Sequence, residues 1–169
     1  MSGEGRDPNR DLMPVTYTSG DPLLTRAQVL AFGHNRKGST EVGPLETILL
    51  HQYPAAFATY SKQCRSGRIK SGTFWMWRES QPQLAFMAVR ESPVGATRLR
   101  YVEAAVMLLA RDFRLHNITS LALMRPCDRE EWPALKPVVD YWLRGSPLPV
   151  VVYEEYAAGV RGEEFPSEA

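Results

Sequence analysis

The sequence predicts an α/β protein, a three-layer α/β/α sandwich built on a mixed central sheet. Two observations lead to this class. Short apolar runs alternate along most of the chain with segments of helical periodicity, and two strand-like segments in the middle follow each other directly. With 169 residues, of which 44% are hydrophobic and 23% charged, the chain suits one domain with a sizeable core.

The first half of the chain predicts two strands, two helices and two further strands. PVTYTSG alternates β-branched and aromatic residues, and AQVLAFG is the short apolar run of a buried strand. From Pro44 apolar residues recur at helical spacing, and Pro54 starts a second helical stretch, so the helices should break at Tyr53. GTFWMWRE and QLAFMAVR are strand-like and are separated by the polar turn SQPQ, so these two strands should be neighbours.

The second half predicts helix, strand, helix and strand. Thr97 is expected to cap a helix that carries an apolar stripe and ends near Asn117. ITSLALM is predicted as a buried strand, DREEWPALKPVVDYWLRG as a helix with acidic residues in its first turn, and LPVVVYEEY as the closing strand. Residues 1–14 and 158–169 are rich in glycine, proline and charge and are predicted as disordered tails, which leaves a domain of residues 15–157.

Composition argues against several functional classes. The formal net charge is +1, so no global field points to nucleic acid, an acidic substrate or a membrane. Two cysteines and three histidines favour neither a disulfide framework nor a metal site. The polar N-terminal segment lacks the apolar core of a signal peptide. We therefore expect a soluble cytoplasmic protein that needs no metal or cofactor and does not bind a membrane.

The polar segment after the second strand is the first candidate site. Ligands of such sheets gather at the carboxyl ends of strands, here the loops after Phe32, Val89 and Met124. The loop from Gly33 to Gly43 offers glycines, an amide side chain, cations and hydroxyls, which predicts an anion cradle. A solvated loop whose glycines only make turns is the alternative. The loop after Met124, RPCDREEW, has no glycine and three acidic residues and should repel a phosphate.

Several segments resemble the macro domain family, and they are nearest to the DarG-type macro domains, the DNA ADP-ribosyl glycohydrolases paired with DarT toxins. VTYTSGDPL resembles the family's opening strand and Gly-Asp pair, and VLAFGHN its second strand, which leads to an asparagine. YPAAFATYSKQCRSGRIKSGTFWMWR is similar to a helix-then-strand segment of the DarG type. TRLRYVEAAV and LPVVVYEEY resemble the long helix and the last strand, so the resemblance covers roughly residues 15–155.

The resemblance implies a macro-like fold, recognition of ADP-ribose or of an ADP-ribosylated nucleic acid or protein, and ADP-ribosyl hydrolysis. It implies that Asp21 accepts a hydrogen bond from the adenine amino group and that Asn35 contacts the distal ribose. In a hydrolase, Asn35 and Lys37 would be the catalytic residues, with Lys37 stabilising the departing group. The further predicted ligand contacts are Gly33, His34, Gly38, Gly43 and Arg125.

The sequence departs from the family pattern in two loops. The DarG-type glycine-rich turn carries a lysine implicated in cleavage, whereas STEVGPLE keeps only Gly43. The family closes over the diphosphate with a glycine-rich loop, and RPCDREEW stands in its place. An inactive macro-like scaffold that serves as a protein-interaction or regulatory module therefore remains an alternative. So does a binder of nucleic acid that uses a strip of basic residues: Arg65, Arg68, Lys70, Arg98 and Arg100.

Overall fold

A computed structural model of the protein describes residues 15–165. The strands are β1 (Val15–Gly20), β2 (Val29–Asn35), β3 (Phe74–Trp77), β4 (Gln83–Arg90), β5 (Leu121–Met124) and β6 (Val150–Tyr156). The helices are α1 (Pro44–Gln52), α2 (Pro54–Arg65), α3 (Leu99–Asp112) and α4 (Trp132–Arg144), with short 3-10 helices at Pro22–Leu24 and Phe113–His116. The predicted tail of residues 1–14 lies outside the described residues, and so do residues 166–169.

The six strands form one mixed sheet in the order β1-β6-β5-β2-β4-β3. All neighbouring strands are parallel except β3, which runs antiparallel to β4. The predicted α/β class is therefore confirmed, and the two central strand segments are neighbours as expected. Because five strands run in one direction, their carboxyl ends lie along the same edge of the sheet, where α/β proteins place their ligand sites.

Helices cover both faces of the sheet and make the three predicted layers. α3 and α4 pack on one face through fully buried residues such as Leu109 and Val139, and α1 and α2 pack on the other through Leu49 and Tyr60. The side chains of β3 alternate between these two cores, with Phe74 and Met76 on the α3/α4 side and Trp75 and Trp77 on the α1/α2 side. Within residues 15–165, no helix is both long and apolar enough to cross a membrane, and the cytoplasmic location stays a prediction.

Two helices begin differently from the sequence prediction. Thr97 does not cap α3, because the helix starts after Arg98 without a side-chain cap, and the Thr97 hydroxyl accepts hydrogen bonds from Arg90 instead. α4 begins only at Trp132, with proline in its first turn, so the acidic residues Asp128, Glu130 and Glu131 lie in a turn that precedes the helix. Thr97 and the turn before α4 both make contacts between loops. The helical spacing of apolar residues does not reveal such contacts.

Residues 158–165 differ from the predicted disordered tail. The amide of Asp21 donates a hydrogen bond of 2.6 Å to the Val160 carbonyl, and the amide of Glu163 donates one of 3.1 Å to the Thr18 hydroxyl. Phe165 packs against the core on the α1/α2 side. The glycine, proline and charge of this segment predicted disorder, whereas contacts with the end of β1 hold residues 158–165 in place. Residues 158–165 thus contact the predicted domain of residues 15–157, whose boundaries stay a prediction.

Candidate functional site

A cavity of about 750 Å³ opens at the carboxyl ends of β2, β4 and β5. Its walls come from the loops that follow these three strands and from one side of α1 and α2. The volume lies in the range of small-molecule sites, which is roughly 300–1,000 Å³. The predicted position of the site, at the strand ends, agrees with this cavity.

His34 lines the cavity and presents a buried nitrogen without a partner. The residue is 3% exposed, and its Nδ1 accepts a hydrogen bond of 2.9 Å from the Asn35 amide. Nδ1 also lies 3.3 Å from the Asn35 carbonyl oxygen, but the shorter contact with the amide favours Nδ1 as the acceptor of the neutral ring, with the proton on Nε2. Nε2 has no hydrogen-bond partner among residues 15–165. Burial lowers the pKa of His34 below 6.5, so the ring is neutral at pH 7 and Nε2 is an uncommitted donor.

Asn35 organises the loop after β2 and does not line the cavity. Its Oδ1 accepts hydrogen bonds of 3.1 Å from the amides of Lys37 and Ser39. Its Nδ2 donates to the Ser39 carbonyl at 2.8 Å and to Glu41 Oε2 at 2.7 Å. Since the oxygen and both amide hydrogens are already used, a ribose contact by Asn35 would require one of these bonds to break.

Arg90, the last residue of β4, ties the three loops of the site together. Its Nη1 donates to Glu41 Oε1 at 3.0 Å, and its Nη2 donates to the Pro126 carbonyl at 2.8 Å and the Thr97 hydroxyl at 3.1 Å. The side chains of Arg90 and Glu41 are only 11% and 12% exposed. A buried charge is costly without its partner, so this pair holds the loops in one arrangement.

Two predicted site glycines, Gly33 and Gly38, line the cavity at positions where a neighbouring segment comes too close for a side chain. A Cβ atom on Gly33 would lie 2.6 Å from the Pro126 carbonyl oxygen. Gly38 has a φ of 73°, a conformation that favours glycine, and a Cβ atom on it would lie 2.7 Å from Ser61 Cα. Replacing either glycine would therefore displace the cavity wall.

Three other predicted residues lie outside the cavity wall: Asp21, Lys37 and Gly43. Asp21 caps the first 3-10 helix, because its carboxylate accepts hydrogen bonds from the amides of Leu23 at 3.0 Å and Gly159 at 2.9 Å. Lys37 is exposed, and Gly43 precedes α1. The structure therefore does not bring the two predicted catalytic residues, Asn35 and Lys37, together in the cavity.

The acidic loop after β5 turns its carboxylates toward main-chain amides. Asp128 Oδ1 accepts a hydrogen bond of 2.8 Å from the Glu131 amide, and Glu131 Oε1 accepts one of 3.3 Å from the Asp128 amide. This reciprocal pair has the logic of a capping box. Glu131 Oε2 also accepts from the Thr97 amide at 3.1 Å. The amide donors that a glycine-rich loop would offer to a phosphate are thus partly taken up by the protein itself.

Arg125 lines the cavity, but its guanidinium is turned to the protein. It donates hydrogen bonds to the carbonyls of Cys127 at 3.0 Å and Glu154 at 2.7 Å. Burial, with a contribution from Glu131, raises the pKa of the Cys127 thiol to about 12, so this wall residue is not a nucleophile at neutral pH. Across residues 15–165, no group of three or more His, Cys, Asp and Glu side chains could hold a metal ion.

The cavity wall carries more carboxylates than cations. Its acidic residues are Glu41, Glu46, Asp128 and Glu131, and its basic residues are Arg90 and Arg125. Both cations are already committed, Arg90 to Glu41 and Arg125 to carbonyl oxygens and Glu155. Hydroxyl and amide contacts therefore suit this wall better than a free double negative charge does.

Sequence analysis missed Arg90 and Glu41, which shape the site most. The sequence nevertheless gave a reason to consider each residue. Arg90 ends a strand at the edge of the sheet where ligands bind, and Glu41 lies within the predicted anion-binding loop from Gly33 to Gly43. Their pairing was not visible, because it depends on β2 and β4 lying side by side with Asn35 opposite Arg90.

Several solved structures with the same fold are macrodomains. The macrodomain of Thermus aquaticus DarG has a TM-score of 0.75 at 20% identity, over 83% of this chain and 97% of that one. The macrodomain of Mycobacterium tuberculosis DarG has a TM-score of 0.74 at 22% identity, over 82% of this chain and 96% of that one. Thermosipho africanus DarTG in complex with ADP-ribose gives 0.78 at 18% identity, over 88% of this chain and 43% of that one. No protein-family model and no curated protein matches the sequence.

The chain therefore has the macrodomain fold, and the resemblance seen in the sequence is confirmed at the level of the fold. The neighbours with DarG in their names are among the structures it is similar to, as the sequence segments predicted. At these identities the likeness concerns the arrangement of strands and helices. What the cavity binds has to be argued from its own residues.

Replacing Arg90 with methionine should lower the free energy of unfolding by about 3–5 kcal/mol, because Glu41 would stay buried without its cation. Arg36→Met is the matched control. It breaks an ion pair with Glu91 whose side chains are 50% and 39% exposed, so it should cost less than about 1 kcal/mol. Urea unfolding measures both values, and equal small losses would contradict the proposed role of Arg90.

His34 should make stability depend on pH. Its folded-state pKa is lowered from 6.5, so below that pH the unfolded chain binds a proton that the folded protein does not. The stability is complete above pH 6.5 and falls as the pH drops further, by at most about 1.4 kcal/mol per pH unit. Urea unfolding from pH 8 to 5 should show a flatter profile for His34→Phe than for the exposed control His51→Gln. Identical slopes would refute this assignment.

Proposed function

We propose that the protein recognises ADP-ribose, free or attached to a target, in the cavity at the ends of β2, β4 and β5. The observation that carries this proposal is the cavity itself, which has about 750 Å³ of space. It lies where α/β sheets bind ligands. The likeness to Thermosipho africanus DarTG, whose structure is a complex with ADP-ribose, supports the choice of ligand.

The wall suits a sugar better than it suits a diphosphate. Apolar residues such as Phe57 and Pro93 can pack on a ribose ring, while the hydroxyls of Ser39 and Thr40 and the carboxylate of Glu46 can bond its hydroxyl groups. A phosphate finds fewer partners, because both cations in the wall are already paired. We therefore expect recognition through ribose hydroxyls, with a smaller contribution from the phosphates.

Hydrolysis of the ADP-ribosyl bond has less support than binding. The predicted catalytic residues Asn35 and Lys37 do not line the cavity, and the amide group of Asn35 is fully used within its own loop. The sequence also lacks a lysine in the segment STEVGPLE. A binding module that does not cleave its ligand fits these features best.

An inactive macro-like scaffold for protein interaction or regulation is the second candidate. The acidic loop after β5 favours it, because Asp128 and Glu131 occupy amides that could otherwise hold a phosphate. The carboxylate of Asp21, which the resemblance assigns to adenine, is bonded instead to Leu23 and Gly159. Such a module would bind its partner without any nucleotide in the cavity.

Isothermal titration with ADP-ribose tests the first candidate against the second. Ala58 is exposed and lines the cavity, so Ala58→Trp should fill it and weaken binding by about tenfold or more, roughly 1.4 kcal/mol. Ala55→Trp, exposed on the same helix but outside the cavity wall, should bind like the wild type. Melting temperatures should stay equal. No heat from the folded wild-type protein at about millimolar ligand would discard ligand binding and favour the scaffold.

We further propose that the target to which the ADP-ribose is attached is a nucleic acid. The stretch of residues 47–78 has five Lys and Arg residues and neither Asp nor Glu. Arg65, Arg68 and Lys70 are exposed in it near the end of α2, whereas Arg98 and Arg100 lie at the start of α3, which packs on the other face. The exposed cluster beside α2 is therefore the surface we assign to a phosphate backbone.

DNA affinity should fall steeply between low and physiological salt if that surface is used. Changing Arg65, Arg68 and Lys70 together to glutamine should weaken binding and reduce the salt slope by about one per lost phosphate contact. Arg114→Gln, exposed beyond the far end of α3, is the control and should keep the slope. Fluorescence anisotropy with a short labelled DNA strand measures the affinity and its salt dependence. Binding that does not depend on the salt concentration would contradict the proposal.

A further inference from the structure

Residues 157–165, which we call the C-terminal strap, lie across the ends of β1 and β6. The Ala157 amide donates to the Gly20 carbonyl at 3.0 Å, and the Asp21 amide donates to the Val160 carbonyl at 2.6 Å. Asp21 Oδ2 in turn accepts from the Gly159 amide at 2.9 Å. The strap and the chain at the end of β1 therefore satisfy each other's polar groups.

Glu164 anchors the far end of the strap. Its Oε2 accepts hydrogen bonds from the Tyr153 hydroxyl at 2.6 Å and from the Thr25 hydroxyl, and its Oε1 accepts one of 2.8 Å from the Arg26 amide. Hydrogen bonds to a charged carboxylate are the stronger kind. One side chain thus fastens the strap to β6 and to the segment between the first 3-10 helix and β2.

The strap packs closely on the sheet at the carboxyl end of β1. A Cβ atom on Gly162 would lie 2.8 Å from the ring of Tyr153 and 3.1 Å from Thr18 Cγ2, and one on Gly20 would lie 2.8 Å from the Val160 carbonyl oxygen. Main chain therefore packs directly on main chain and on the aromatic ring. The strap therefore covers the carboxyl end of β1, while a hollow of about 460 Å³ remains between residues 16–19 of β1 and residues 161 and 163–165 of the strap.

The strap shortens the crevice in which the cavity lies. Parallel strands β1, β6, β5, β2 and β4 end along one edge, and neighbouring strands are about 4.8 Å apart, so the full edge spans roughly 19 Å. The cavity wall draws on the ends of β5, β2 and β4, which span roughly 10 Å. None of its residues comes from β1, β6 or the strap.

We propose that the C-terminal strap is the specificity-determining element of the site. It closes the β1 and β6 half of the crevice, so the ligand is recognised through a single ribose unit in the cavity, with a smaller contribution from the phosphate attached to it. The rest of an ADP-ribose molecule extends away from the sheet and adds little affinity. This inference rests on the proposed binding function and states which part of the ligand the protein holds.

Titrations of the intact protein with ribose 5-phosphate and ADP-ribose test the inference without any variant. The two dissociation constants should agree within about threefold, because the larger ligand makes few extra contacts. Amide hydrogen exchange at Asp21 and Gly159 should stay slow with either ligand. Binding of ADP-ribose more than about tenfold tighter, with these amides still protected, would overturn the inference while leaving the proposed function intact.

Two full-length variants release the strap without touching the cavity. Glu164→Ala removes three hydrogen bonds, and Gly162→Val drives a side chain against Tyr153. Both should speed exchange at Asp21 and tighten ADP-ribose binding by about tenfold, with ribose 5-phosphate unchanged. Glu163→Ala is the control. Glu163 is exposed and, among the described residues, makes a hydrogen bond only through its amide, so this variant should change neither the exchange at Asp21 nor the affinity for ADP-ribose.

The outcomes separate the two proposals. Fast exchange at Asp21 without any gain for ADP-ribose would overturn the role of the strap. Failure of every protein to bind either ligand would overturn the binding function itself. Binding of ADP-ribose only after release of the strap would contradict both, because the intact protein is expected to bind it in the cavity.

Discussion

The site depends on one buried ion pair, Arg90 with Glu41. Their side chains are almost withdrawn from water, so neither charge tolerates loss of the other. The pair also fixes the loops around it, because Asn35 holds the second oxygen of Glu41 and the Pro126 carbonyl receives the guanidinium. Three loops that would otherwise move independently thus share a single arrangement. The cavity is the space that this arrangement leaves open.

The charged groups of the cavity wall and several loop amides bond to each other within the protein. In the loop after β5, carboxylates bond the amides at Asp128, Glu131 and Thr97, and the cations in the wall are paired. What remains for a ligand is hydroxyl groups and apolar surface. Such a wall distinguishes ligands by the positions of their hydroxyl groups more than by their charge. The strap acts in the same direction, since it removes the part of the crevice next to Asp21.

Hydrophobic periodicity predicted the elements well because it records local burial. The apolar runs of β2, β4, β5 and β6 and the stripes of α3 and α4 each determine a local structure that later packs on neighbours of the same pattern. Polar residues at the element ends were harder to predict, since a polar side chain can serve its own loop, another loop or a ligand. Thr97 could have capped a helix but bonds Arg90, and Asn35 could have faced a ligand but folds its own loop.

The sequence by itself determined the class of fold, the order of the strands and helices, and the edge of the sheet where the cavity opens. These follow from apolar spacing and from the direction of parallel strands, which are properties of the chain read in order. Only the tertiary structure decided which polar groups form hydrogen bonds within the protein and are therefore not available to a ligand. Arg90 meets Glu41, and Asp21 meets Gly159, only because strands far apart in the chain lie side by side. Hydrogen bonds of this kind depend on distances of a few ångströms between such segments, and no local pattern in the sequence encodes those distances.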